Sequence, residues 1–520
     1  MPDRPSFLIL ITDQHRPDHT GFGGNDVLRT PHLDRLAARA MQFDRAIVAN
    51  PICMPNRATI FTGRLPSVHG TRFNGIPLDR SANSFARVLR GEGYQTGYFG
   101  KLHLQNMGNN RRISDRIWQG TPEHNAREPG YEPGWDEYED WERHTQERVE
   151  IPPDFYGLDE VELAVDHADT CGGHYYQWLL EQGADPAKLC GPQNALPFEA
   201  STQQIWRTRL PEEFYPTNYV SQRTCAFLER QASAPDVPFL AFCSYPDPHH
   251  PFTPPGRYFE MYDPNQIPLP ETFEDPHTLS MPHLRRLCAK RGEQGFPISP
   301  FSPTERQYRQ MAAAEYGAIS MIDDGIGEVL ATLERTGLAE STVVVFTSDH
   351  GDMFGDHGLM LKAGMHYQGC LRVPLLIARP GSQPGRTPAL VSSLDLAQTV
   401  LQLAGAPEYH GMQGVSLVPL LEDPDESLRD HVLVEEDQMF DIAGIGEQLR
   451  MRTLITDQHR LTLYHGSTDG ELFDLGQDPD ELRNGFGQRE QRATRAALAE
   501  QLAHLQMEYA DRSPRPTAMA

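Results

Sequence analysis

Lysine is nearly absent from this chain. Only Lys101, Lys188, Lys290 and Lys362 occur among its 46 basic residues, and arginine supplies the rest. In such a chain a retained lysine marks a place where a compact ammonium is wanted. Lys101 and Lys362 both fall inside motifs described below. Positive charge as a whole is short: 46 basic residues face 72 acidic ones, for a net charge of −26. That balance argues against nucleic acid or an anionic membrane surface as a partner, and an anionic substrate then needs a local cationic pocket. Long apolar runs are missing too; none approaches the roughly 18–20 residues that cross a bilayer. The run Phe7–Thr12 is too short for a usual signal segment and has no small-residue cleavage site after it, so a cytoplasmic location is expected. Seven scattered cysteines, odd in number and without a Cys-x-x-Cys pair, exclude a disulfide framework and a cysteine zinc site.

What is present is an alternation of strand and helix signals over 520 residues, enough for one large domain and one smaller one. Residues 6–12 read as a buried strand. Residues 30–40 read as a short helix with Pro31 in its first turn, 84–90 as a helix closed by Gly91 and Gly93, and 94–99 as a second strand. The stretch 104–220 differs. It is rich in Trp, Tyr, Glu, Pro and Gly, with Trp118, Trp135, Trp141 and Trp178, and is expected to be an insertion that covers or shapes an active site. Strands follow at 238–243, 342–347 and 373–378, with a long helix over 304–335. This pattern predicts an α/β fold over residues 1–384, a large mostly parallel sheet sandwiched by helices. After 385, a helix at 394–403 precedes short strands at 432–435, 452–455 and 460–464 and a helix over 488–508. These predict a smaller C-terminal domain of antiparallel sheet plus helix over 385–520. Its last helix carries Leu498, Leu502, Leu505 and Met507, a face suited to its own chain or to a second copy in a homo-oligomer.

Three polar motifs directly follow predicted strands: Asp13-Gln14, Lys101-x-His103 and Asp349-His350-Gly351. Pro248-His249-His250-Pro251 lies a few residues beyond a fourth strand. Ligands of open α/β sheets bind at the carboxyl ends of strands, so all four are expected at one edge. Asp13, Asp349 and His350 offer two carboxylates and an imidazole, with Gln14 as an extra oxygen donor, a set suited to one divalent cation. Oxygen ligands favour Ca²⁺, while the imidazole moves the preference toward Mn²⁺. Taken singly, Asp13 as a loop cap and Asp-His-Gly as a turn explain the same residues. Residues 51–63 hold Cys53-x-Pro55-x-Arg57 followed by Thr62-Gly63. A helix entered here puts Cys53 and Arg57 on one face. A thiol-protease reading of Cys53 gives no role to Asp13, Asp349 and His350.

The cysteine segment resembles the signature of the sulfatase family, within the alkaline phosphatase superfamily. The likeness runs almost end to end, through Thr30-Pro-His-Leu-Asp-Arg-Leu36, Gly93-Tyr-x-Thr-Gly-Tyr-x-Gly-Lys-x-His103, Pro248–Phe252, Thr347–Asp352, Gly355–Gly358, Arg372–Pro374, Glu471–Leu475 and Asp478–Glu481. It implies that a formylglycine-generating enzyme oxidises Cys53 to formylglycine, whose hydrate attacks the ester through a covalent sulfo-enzyme intermediate. It also implies that Asp13, Asp349, His350 and the modified Cys53 hold the cation, with Gln14 beside them. Arg57, Lys101, His103, His249 and Lys362 would line the sulfate pocket, with His250 competing for the role of His249, and Asn74 would touch substrate. Many members carry two adjacent aspartates where this chain has Asp13-Gln14, and asparagine where it has His350. That mixture is similar to phosphonate monoester hydrolases and choline-sulfatase-like members, but those phosphonate enzymes lack a pair like Lys101 and His103. The resemblance therefore implies a sulfate monoester hydrolase of arylsulfatase type, with phosphonate monoester or phosphodiester hydrolysis as the alternative. A third reading is a non-catalytic, metal-stabilised binding protein in which Cys53 is an inert core thiol.

Overall fold

The computed structural model describes residues 4–108, 131–295, 297–439, 441 and 448–518; residues 109–130 of the expected insertion, Trp118 among them, lie outside the described residues. One sheet contains β1 (Ser6–Thr12), β2 (Met41–Ile47), β3 (Gln95–Gly100), β4 (Glu160–Leu163), β5 (Phe239–Ser244), β6 (Thr342–Ser348), β7 (Arg372–Val373), β8 (Leu375–Ala378) and β9 (Gly385–Ser392). Their order is β4-β3-β5-β1-β6-β8-β2-β7, with β9 beside β2. β4, β3, β5, β1 and β6 run parallel, and β8 runs antiparallel to both β6 and β2. The large sheet is mostly parallel, as the alternation predicted.

Burial on both faces explains why the central strands are apolar throughout. Period-two alternation sends Phe7, Ile9, Ile11, Val343 and Val345 to one core, and Leu8, Leu10, Val344 and Phe346 to the other. Helices Cys53–Thr62, Phe85–Gly91 and Asp395–Ala404 cover the first face. Helices Pro31–Ala37, Pro216–Gln231 and Glu305–Arg335 cover the second. Each large apolar side chain so buried stabilises the fold by about 1.5–3 kcal/mol. Thr304 starts the long helix through a reciprocal capping box with Gln307.

Several elements differ from the sequence expectation. β2 escapes detection because Asp44 and Arg45 interrupt its apolar pattern. The strand expected at 373–378 is split at Pro374, which has no N–H for the ladder. β9 pairs with β2 in the large sheet, and the helix after it packs on Phe85–Gly91 and Cys53–Thr62, so the large unit runs past residue 384. Inside 104–220, β4 extends the sheet beside β3, and Trp178 sits in the second core.

β10 (His431–Asp437), β11 (Arg450–Thr456), β12 (His459–Tyr464) and β13 (Gly470–Asp474) form a separate antiparallel sheet in that order. Leu498, Leu502 and Leu505 of the helix Arg492–Glu508 pack against Leu433, Leu454, Leu461 and Leu472. That apolar face is thus used on its own sheet, while Met507 points to solvent. No helix among the described residues is long and apolar enough to cross a membrane.

Candidate active site

The five parallel strands all end at one edge of the sheet. Asp13 follows β1, Lys101 follows β3, Asp166 and His167 follow β4, Pro248–Pro251 follows β5, and Asp349 and His350 follow β6. Because Thr12 of β1 pairs with Ser348 of β6, the two aspartates emerge side by side. The Asp349 amide donates to Thr12 O at 3.2 Å, which fixes that register one residue further. Cys53 opens the helix Cys53–Thr62, buried along its whole length. The Met54 amide there donates to Asn74 Oδ1 at 3.2 Å, so Asn74 satisfies an otherwise free helix-start amide. The helix N-terminus also brings partial positive charge to the site.

Cys53 Sγ lies 3.1 Å from His350 Nε2 and 3.8 Å from Asp13 Oδ1. His350 Nδ1 donates to Gly351 O at 2.8 Å, which leaves Nε2 with its lone pair toward Asp13 and Asp349, at 3.6 and 3.7 Å. Donor atoms of Asp13, Cys53, Asp349 and His350 lie within 4.8 Å of one another. That is the span of ligands about 2.3–2.6 Å from a shared centre, so the set fits one divalent cation. Gln14, expected as a further ligand, uses both ends of its amide elsewhere. Its Oε1 accepts from Lys362 Nζ at 2.5 Å and its Nε2 donates to His250 Nδ1 at 3.2 Å.

Arg57 was expected on the pocket wall, but it stands behind the carboxylates. Its Nε donates to Asp349 Oδ2 at 2.7 Å and its Nη2 to Asp13 Oδ2 at 3.2 Å. Nη1 donates to Ser244 Oγ at 3.0 Å, to Tyr98 OH at 3.3 Å and to Lys101 O. The fork is filled by the chain's own groups, and its role is to fix the two aspartates. Lys101 Nζ donates to Asp13 Oδ2 and to His167 Nε2, each at 2.5 Å. Asp166 accepts from His167 Nδ1 at 2.7 Å, and the His167 ring stacks on His249 with centroids 3.5 Å apart. His249 donates from Nδ1 to His250 O at 2.5 Å and accepts from Lys362 Nζ at 2.7 Å on Nε2. Both nitrogens of His249 are therefore engaged. His103 Nδ1 and His250 Nε2, by contrast, are buried ring nitrogens without a partner.

Burial alone would raise the Asp13 carboxyl, but Lys101 and Arg57 more than offset it and hold it well below the usual carboxylate range. Burial likewise works against charge on Lys101, yet Asp13 lifts it above its ordinary value. Desolvation pushes His103 and His249 well below the usual imidazole value, helped by Lys101 at the first and by His167 and Lys362 at the second. Burial and the neighbouring cations thus favour the neutral imidazole at His103 and His249, beside the cationic Lys101 and Arg57. Gln14, His103, Leu361 and Ala363 all have left-handed backbone, with φ of 60, 52, 68 and 83°. Such strain costs about 1–3 kcal/mol per residue and collects at functional sites.

A cavity of about 1030 Å³ opens on this cluster and is lined by Cys53, Asn74, His103, His249, His250 and Lys362. Asp13, Arg57, Lys101, Asp349 and His350 form the buried layer beneath it. Sequence reasoning missed His167 with Asp166, and it missed Glu139, whose carboxylate accepts from the amides of His103, Leu104 and Gln105 at 2.6, 2.9 and 2.9 Å. Asp166-His167 follows a strand much as Asp349-His350 does, but Glu160-Val-Glu-Leu163 is short and half charged. Trp178 and Trp141 pack in or against the cores, and among the described residues the tryptophan on the cavity wall is Trp206.

Residues 5–406 match the family model described as Sulfatase, and residues 355–508 match that of the N-sulphoglucosamine sulphohydrolase C-terminal region. An arylsulfatase of Clostridium perfringens is 27% identical over 92% of this chain and 90% of its own length. A choline-sulfatase of Rhizobium meliloti is also 27% identical, over 92% of this chain and 82% of its own. The solved phosphonate monoester hydrolase of Agrobacterium radiobacter shares the fold, with a TM-score of 0.76 at 23% identity, covering 99% of this chain and 98% of that one. With three quarters of its length inside the Sulfatase model, this chain belongs to the sulfatases.

Proposed function

We propose that the chain hydrolyses sulfate monoesters with a formylglycine made from Cys53 and one divalent cation, Ca²⁺ or Mn²⁺. The observation that carries this reading is the meeting of Cys53, Asp13, Asp349 and His350 within one ligand sphere, at a cavity lined by Lys362 and four histidines. Oxidised Cys53 would bring the nucleophilic oxygen, and the cation the Lewis acidity that activates it. Asp13, Asp349 and His350 would hold the cation, and Arg57 keeps the two carboxylates in place. Lys101 and Lys362 would neutralise the non-bridging oxygens as charge develops. His103 Nδ1 and His250 Nε2 remain free for hydrogen bonds or proton transfer at the head group. As the ester S–O bond breaks, Lys362 gives a proton to the departing oxygen, and the Lys362–His249 pair regains one from solvent.

The seven cysteines are all unpaired, which supports a reducing compartment such as the cytoplasm, where a formylglycine-generating enzyme would have to act on Cys53. Phosphonate monoesters and phosphodiesters are the second reading. They too present a singly charged tetrahedral head, and Gln14 in place of a second carboxylate suits either. Values of kcat/KM for 4-nitrophenyl sulfate and 4-nitrophenyl phenylphosphonate separate the two; the sulfate is expected to be faster. Cys53→Ala is expected to abolish both activities, and ester turnover unchanged in that variant would return Cys53 to an inert core thiol.

A further inference from the structure

The same cavity is also lined by Phe73, Ile76, Leu196, Phe198, Trp206 and Ile298, an apolar chamber that adjoins the charged cluster. Phe198 and Ile298 are each 41% exposed and present apolar surface to this cavity, Phe198 with its ring edge-on against Phe259 at 4.9 Å between centroids. Polar side chains on this wall are committed to their own chain. Thr202 Oγ1 donates to Gln294 Oε1 at 2.7 Å, Gln203 Nε2 to Gly295 O at 3.1 Å, and Gln204 Nε2 to Pro297 O at 2.5 Å. The Trp206 N–H donates to Asp169 Oδ2 at 3.1 Å, and Arg207 is paired with Glu260 at 2.8 Å. Asn106 Oδ1, also on the cavity lining, is a buried acceptor without a partner.

A sugar brings a hydroxyl on nearly every carbon, and each one buried without a partner costs free energy. A second anionic group would need an uncommitted arginine or lysine. The described wall supplies neither, but it does supply apolar area. Its volume, about 1030 Å³ with the head-group end included, is at the upper limit of pockets that enclose a whole organic ligand. We propose that the leaving group of the natural substrate is a large, uncharged, mainly apolar alcohol or phenol seated in this chamber. This rests on the ester-hydrolase reading of the charged cluster.

The test is a series of 4-n-alkylphenyl sulfates from methyl to hexyl, in which the chemistry of the departing oxygen stays nearly constant. Phenylphosphonate monoesters of the same phenols, glucose 6-sulfate and choline sulfate are run alongside, all with the Cys53-modified enzyme. Burial of each methylene predicts kcat/KM rising about three- to fourfold per carbon until the chamber is full. Glucose 6-sulfate and choline sulfate are expected to fall below every alkylphenyl ester. Phe198→Glu and Ile298→Lys, both at partly exposed positions, should flatten the slope. A flat series in the unaltered enzyme, or a preference for the sugar or choline ester, overturns the proposal. Turnover of phosphonates alone with the slope intact would overturn the sulfate assignment and support the chamber. No turnover of either head group would remove both.

Discussion

At the residue scale, the site depends on how few of its charges face solvent. Arg57 is fully buried, with Asp349 on Nε and Asp13 on Nη2 of one guanidinium. A lysine keeps the charge but cannot reach both carboxylates. Arg57→Lys is therefore expected to fold, to bind the cation about 10–100-fold more weakly, and to lose activity in step; calorimetric titration with Mn²⁺ or Ca²⁺ checks it. Unchanged affinity would show that the two aspartates are positioned by the strand ends alone. His167 offers a second case. It takes one of the two hydrogen bonds that hold Lys101 and forms the face on which His249 rests. His167→Ala is expected to lower kcat for 4-nitrophenyl sulfate by about 10–100-fold through misplacement of both neighbours. Because it lies at the cavity rather than in a core, the melting temperature should barely move. A loss confined to KM would mean that the ring only fills space.

At the element scale, the small sheet does more than cover the large one. Glu436 of β10 accepts from the Gly364 amide at 2.8 Å and meets His366 Nε2 at 3.2 Å, while Asn50 Nδ2 donates to Glu435 O at 2.6 Å. The small sheet thus grips the loop that carries Lys362 and the loop that leads into Cys53. Glu436→Ala leaves a buried N–H unpaired, at a cost of about 1–3 kcal/mol. It should also reduce kcat, because Lys362 loses its rigid support; urea denaturation and steady-state kinetics on one preparation check both. Intact kcat in a destabilised variant would mean that the sheet stabilises without positioning. This coupling was not legible in the sequence, since Gly364 and Glu436 are 72 residues apart and neither belongs to a chemical motif. The strand-end motifs were legible because β1, β5 and β6 are uniformly apolar and stop abruptly at polar residues. β4 and β2 were not, because edge positions and mixed charge remove that contrast. The sequence also misplaced Arg57: helical spacing gives its face relative to Cys53, but not which neighbours will occupy its fork.

At the scale of the whole molecule, the C-terminal motif that supported the family resemblance proves to be a joint rather than part of the site. Arg460, fully buried, donates to Glu481 Oε1 at 2.5 Å and Glu471 Oε2 at 2.9 Å, and its guanidinium lies over the rings of Tyr367 and Phe473. Glu481 in turn accepts from the Gln368 amide of the large unit at 2.9 Å. Arg460→Met strands two buried carboxylates and is expected to cost about 3–5 kcal/mol, read as a drop in the urea midpoint, with per-molecule activity retained in whatever remains folded. A near-neutral result would show that the two units are held together by apolar packing alone. The proposed chemistry depends on one atom in the first helical turn at the edge of the large sheet. Its most direct test is peptide mass spectrometry across Cys53 after co-expression with a formylglycine-generating enzyme. An aldehyde at position 53, reactive toward a hydrazide probe, is the predicted result; an unmodified thiol in an enzyme that still turns over sulfate esters would contradict it.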